Sequence, residues 1–158
     1  MNFSEIFGPI VTLVLAIGAG LFSLNNVRRT DFERVRQLHA DLTTGPVSEA
    51  RHVVGTAFDD PARGDHVQLT LAELEALYIV LWSFERIDVA RDTLLGRWRW
   101  LPRAANPRRT LDASVKKHVR MYLGYLDRAY VGQQKLVLRT DSSEAGILRL
   151  ARRIGLHA

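Results

Sequence analysis

From Ile6 to Leu24, nineteen consecutive residues carry no ionisable side chain. At about 1.5 Å rise per residue they make a helix of roughly 28 Å, close to the ~30 Å hydrocarbon thickness of a bilayer. A helix satisfies its own backbone hydrogen bonds, which lipid cannot do. Pro9 stands in the first turn, where a missing donor costs little. A secretory signal would open with a basic n-region. Here only Met1, Asn2, Phe3, Ser4 and Glu5 come first, whereas Arg28, Arg29, Arg34 and Arg36 follow the apolar run. That asymmetry places the N-terminus outside and the rest in the cytoplasm. A soluble core helix is the other competitor, and such helices seldom keep every face uncharged for nineteen residues. Residues 1–27 are therefore read as a transmembrane anchor.

Beyond the anchor, apolar residues recur at helical spacing in five further segments. Phe32, Val35, Leu38 and Leu42 mark an amphipathic juxtamembrane helix within 28–44. Gly45-Pro46 punctuates the chain, and Val47, Ala50, Val53, Val54, Ala57 and Phe58 then predict a short helix. The turn formers Asp59 to Asp65 make a surface loop. Thr70-x-x-Glu73 is a capping box opening the best-defined helix, with Leu71, Leu74, Leu77, Tyr78, Leu81, Phe84 and Ile87 on its inner side. The run Ala76 to Trp82 is apolar around most of its circumference, which implies burial. After a basic linker at 96–110, Thr110 or Asp112 opens a helix holding Leu111, Val115, Val119, Tyr122, Leu123, Leu126 and Tyr130. An amphipathic basic helix closes the chain at 143–156. No stretch alternates long enough to predict a strand. The expected class is all-α: one transmembrane helix followed by a cytoplasmic domain, 45–158, built as a bundle of four to five helices.

The 158 residues suit one modest domain plus an appendage. With no Cys, disulfides, thiolate metal sites and cysteine nucleophiles are excluded. The net charge of +5 is unevenly held: residues 1–96 sum to −5 and residues 97–158 to +10. Such a division suggests a polyanionic partner. For a tethered protein the nearest polyanion is anionic lipid, met by Arg28, Arg29, Arg97, Trp98, Arg99, Trp100, Arg103, Arg108, Arg109, Arg149, Arg152 and Arg153. Trp favours the headgroup zone, and the basic tail has an apolar side, Ile147, Leu150, Ala151 and Ile154, that could lie face down in the interface. Nucleic acid is the rival, since Arg beside aromatic rings also suits phosphate and bases, but no nucleic-acid-binding motif accompanies it. A solvated basic face is the third reading.

In the anchor, Gly8, Thr12, Ala16 and Gly20 fall four residues apart, a small-residue stripe that lets helices approach closely and fits a homo-oligomer or a membrane partner. The five histidines are scattered, and phosphate loops and nucleophile elbows are absent, so no cofactor, no metal and no enzyme activity are expected. Asp59, Asp60, Asp65 and His66 lack the spacing of a calcium loop. Glu85, Arg86, Asp88, Arg91 and Asp92 crowd the end of the central helix. Pairing among themselves, or of Glu85 with an arginine of a neighbouring helix, accounts for them better than carboxylate catalysis does.

The stretch Leu81-Trp82-Ser83-Phe84-Glu85-Arg86-Ile87-Asp88, placed on a middle helix behind a short span, resembles small bacterial single-span membrane proteins with a cytoplasmic helical domain. The resemblance implies a bacterial membrane location; it points to no particular activity and transfers no functional residue. Arg outnumbers Lys nineteen to three, which suits a GC-rich bacterial coding sequence. The resulting expectation is a membrane-anchored interaction or scaffolding protein, with a tethered polyanion binder and then a carboxylate enzyme as alternatives.

Overall fold

The computed structural model describes residues 3–94, 106–137 and 145–156, with side chains from residue 10 onward. It is mostly helical, with five α-helices among the described residues. The first, α1, covers Phe3–Thr43. The chain divides into two units, 1–34 and 35–158, and the division falls inside α1. The expected juxtamembrane helix 28–44 is thus continuous in backbone with the anchor. Its second half belongs to the larger unit, where Val35 and Leu42 are buried.

In the first unit every side chain from Ile10 to Asn26 is exposed. An 18-residue window of α1 has a mean hydropathy of 1.9 with none of it buried. By length and composition α1 can cross a membrane.

In the larger unit, α2 (Gly45–Asp59) begins with Pro46 in its first turn and buries Ala50, Val54, Ala57 and Phe58. A 3-10 turn, Pro61–Arg63, follows, capped by Asp60 accepting from Ala62 N at 2.9 Å. Next, α3 (Leu71–Thr93) opens on the anticipated capping box: Glu73 N donates to Thr70 Oγ1 at 3.3 Å and Thr70 N to Glu73 Oε2 at 2.8 Å. Arg63 Nη2 adds a 2.7 Å bond to Glu73, and this partner above all pulls the carboxyl pKa down to about 2. Leu71, read as an inner residue, is exposed, because it is the first helical residue and lies outside the packed stripe.

The fourth helix, α4, covers Pro107–Arg128 and starts earlier than expected. Asn106 caps it, its side chain accepting from Arg109 N at 3.3 Å, and Pro107 fits the first turn. The two-residue signal Asn-Pro, read as linker, is the true start. Its stripe Leu111, Val115, Val119, Tyr122 and Leu126 is buried as anticipated. Tyr130, however, belongs to a strand. Three short strands amend the strand-free expectation: β1 Val67–Gln68, β2 Ala129–Val131 and β3 Gln134–Lys135. Here β1 pairs parallel with β2 (Val67 with Ala129), and β2 pairs antiparallel with β3 (Val131 with Gln134). Gly132, with φ of +60°, opens the two-residue hairpin loop where a primed turn needs a left-handed residue. Strands this short show no alternation to read.

The last described helix, α5 (Gly146–Arg153), ends in a Schellman motif: Gly155 N donates to Arg152 O and Leu156 N to Ala151 O, with Gly155 at φ +72°. One core unites these helices, formed by Phe58, Leu77, Leu81, Phe84, Tyr122, Ile147 and Leu150 among others. Helix α3 is its hub and packs most extensively on α2 and α5.

Gly146 sets how closely α5 approaches α3. A Cβ there would lie 2.7 Å from Glu85 Cβ and 2.8 Å from its Cα, so α5 would have to move. Gly146→Ala should cost about 1–3 kcal/mol of unfolding free energy in chemical denaturation. Gly124→Ala, on an open face of α4, should instead be neutral or stabilising by up to about 1 kcal/mol. Equal effects at the two sites would refute the close-approach argument.

Candidate functional site

Glu85, Asp88 and Asp92 sit three and four residues apart, so they share one side of α3, and that side meets α5. Arg149 and Arg153 are themselves four apart on α5 and answer them. Arg149 Nε donates to Asp88 Oδ2 at 3.3 Å, and its Nη2 lies 3.6 Å from Glu85 Oε1. Arg153 Nη1 reaches Asp88 Oδ1 at 3.0 Å and Asp92 Oδ1 at 2.8 Å. Asp88 is buried. One helical turn on, Arg91 is 2% exposed and grips Asp112 of α4 with both arms of its guanidinium: Nε to Oδ1 at 2.7 Å and Nη2 to Oδ2 at 3.1 Å. The same Nη2 donates to Arg153 O at 2.9 Å, at the end of α5. A bidentate, charge-assisted pair is among the stronger hydrogen-bond arrangements, and the bond to a last-turn carbonyl satisfies a group that the helix itself cannot. This ionic seam joins three helices. The pairing runs between helices, as the sequence offered for Glu85 in the second of its two readings, and not within α3 as the first had it. Each of the three α3 carboxylates already faces an arginine, so the seam is built to hold helices together.

Beside it lies an open recess of about 300 Å³ lined by Arg109, Asp112, Ala113, Lys116 and Ile154. Among the described residues no group of three or more His, Asp or Glu converges as a metal site. Asp59 accepts instead from Tyr125 Oη at 3.1 Å.

The basic residues singled out from the sequence are placed differently from one another. In the first unit Arg29 pairs with Glu33 at 3.2 Å, and Arg28 stands 5.7 Å from the Phe32 ring centroid. Arg97, Trp98, Arg99, Trp100 and Arg103 lie outside the described residues. Arg108 is half-buried with its Nε unbonded, and burial first, then the charge of Arg91, pushes its pKa down. Arg109 is exposed. Arg149 and Arg153 are turned onto α3, and only Arg152 of that trio is exposed with no ion pair among the described residues. The apolar side of the tail is buried as well, with Ile147, Leu150 and Ala151 all at 0% exposure. The expectation that this helix lies face down in a bilayer interface is therefore corrected: its apolar face belongs to the protein core. In the first unit, Gly8, Thr12, Ala16 and Gly20 are all on α1, and a Cβ at Gly18 or Gly20 would meet open space.

Of the outer face of α4, sequence reasoning singled out Arg109 and passed over Lys116, Lys117 and Arg120. Arg109, Lys117 and Arg120 are exposed, with Lys116 beside them, and among the described residues none of these four makes an ion pair. The signal was present in their helical spacing, but it was averaged into the charge of the whole half.

It also passed over a basic cluster. Arg51 Nη1 donates to Leu42 O at 3.0 Å, and its Nη2 lies 3.2 Å from His118 Nδ1, while the His39 ring stands 6.4 Å from that of His118. Below them Tyr122 is buried edge-on to Phe84 and Tyr125, and burial pushes its hydroxyl pKa up to about 12. Burial is also the first cause that lowers the His118 pKa, followed by the charges of Arg51, His39 and Lys117. As a neutral ring, His118 can accept from Arg51.

No protein-family model, curated protein or solved structure matches the chain. Fold and site together define a mostly helical protein with one helix able to cross a membrane and a larger unit tied by an ionic seam.

The lowered His118 pKa means that the unfolded chain binds more protons near and below the ordinary histidine value of 6.5. His118 thus contributes stability that is present above pH 6.5 and lost as pH falls through its folded pKa. His118→Gln, which keeps an acceptor for Arg51, should flatten the acid side of the stability profile just below the ordinary histidine value of 6.5. An unchanged slope would contradict the assignment.

Proposed function

We propose that this chain is a single-pass, membrane-anchored helical interaction protein of the bacterial inner membrane, with its N-terminus outside and residues 28–158 in the cytoplasm. The observation that carries the reading is the uncharged helix from Ile10 to Leu24 with every side chain exposed. A helix of this kind in the core of a soluble protein would be covered, and lipid is the medium in which exposed apolar side chains and an internally bonded backbone are both satisfied. The arginines at 28, 29, 34 and 36 support the orientation. The ionic seam supports a non-enzymatic role, because Glu85, Asp88 and Asp92 are occupied by arginines.

A polyanion contact is supported by the outer face of α4, where Arg109, Lys116, Lys117 and Arg120 make no ion pair among the described residues. For a tethered protein that face favours anionic headgroups, each basic residue contributing about 1 kcal/mol near the surface. Nucleic acid is the alternative that the same chemistry allows.

Because the chain has no Cys, single engineered cysteines report topology without background. The full-length chain should stay in the pellet after alkaline washing of membranes. Asn2→Cys should react with an impermeant maleimide in intact cells, and Lys117→Cys only after lysis. Release into the supernatant, a shortened mature form, or the opposite labelling would each overturn the reading.

A further inference from the structure

Among the described residues, one side of helix α3 is left uncovered, although its run Ala76 to Trp82 is apolar nearly all round. Ala72, Glu75, Ile79, Trp82, Arg86 and Val89 are exposed in alternating steps of three and four, the spacing of a heptad seam. Ile79 is 45% exposed, Trp82 64% and Val89 58%. An uncovered Trp flanked by two aliphatic residues at that spacing is what a second helix would cover.

The order of residues along the seam says which helix. Read backwards about the midpoint between Val80 and Leu81, the seam complements itself: Ile79 falls opposite Trp82 of a second copy, Glu75 opposite Arg86, and Ala72 opposite Val89. In heptad terms each is a pairing of an a position with a d position, the layers that antiparallel helices form. A two-fold axis makes every such contact twice, so one interface gains two Ile–Trp layers, two Glu–Arg pairs and two Ala–Val layers. Parallel pairing would set Glu75 on Glu75 and Arg86 on Arg86. Glu75 has no ion-pair partner among the described residues. Arg86 leans on Asp41 at 3.3 Å while 67% exposed, a surface contact weak enough to be exchanged.

We propose that α3 pairs antiparallel with α3 of a second copy of this chain across that seam. This deepens the interaction role above by naming the partner, and rests on that reading for the shared membrane, which raises the effective concentration of the two copies.

The test uses the full chain in detergent micelles, with mass measured by light scattering and helicity by circular dichroism. Wild type should be dimeric. Glu75→Arg, which leaves the Asp41 contact alone, and Arg86→Glu should each weaken dimerisation about tenfold or more, and the double variant E75R/R86E should restore it. Independently of those variants, differently tagged Glu75→Cys and Arg86→Cys chains, mixed and treated with a short bis-maleimide, should give mainly the mixed product. A monomeric wild type, a dimer indifferent to both single reversals, failure of the double variant to recover, or mainly same-site cross-links would overturn the proposal. Should a reversal variant lose its helicity, the cross-linking pattern decides. Release by alkaline washing would sink the membrane reading alone, since the released chain gives the same readouts for the seam.

Discussion

Arg91 is the constraint on which the arrangement of α3, α4 and α5 depends. A guanidinium buried to 2% exposure is tolerable only with its donors matched, and here Asp112 takes two of them and the last turn of α5 a third. Those three bonds fix where α4 begins relative to α3 and where α5 ends. Once α5 is held there, Arg149 and Arg153 lie along Glu85, Asp88 and Asp92, and Gly146 comes against the Glu85 backbone without a Cβ in the way. The apolar half of α5 then closes the core.

This changes the meaning of the charge asymmetry. A basic second half invites a search for an external polyanion, yet part of that charge answers acids of the first half across the α3–α5 contact. What remains outward among the described residues is mainly the face of α4. Charge summed along a chain cannot distinguish arginines that bind inward from those that face solvent, because the distinction depends on pairing between helices that are sixty residues apart.

The local signals were legible. The uncharged run, the Thr70 capping box, the Pro46 start and the Leu111 to Leu126 stripe all reappear in the structure, since each depends on residues within a turn or two of one another. Asn106-Pro107 was a cap followed by a first-turn proline, but the two prolines and the lack of periodicity in that stretch made it resemble a linker. The strands take their partners from distant segments and are too short to alternate. Burial of the central helix was inferred from its apolarity on all sides, and neighbours were then found for Ala76, Leu77, Val80 and Leu81 but not for Ile79 or Trp82. The inward turn of Arg149 and Arg153, like the Arg51–His118 contact, required the tertiary fold.

The central claim is that Arg91 and Asp112 act as a unit, and a double-mutant cycle measures that coupling directly. Unfolding free energies of wild type, Arg91→Met, Asp112→Leu and the double variant, taken in one detergent at one pH, should give an interaction energy of about 2 kcal/mol or more, with the double variant costing less than the sum of the singles. Additivity within about 0.5 kcal/mol would show that the pair does not hold the three helices together.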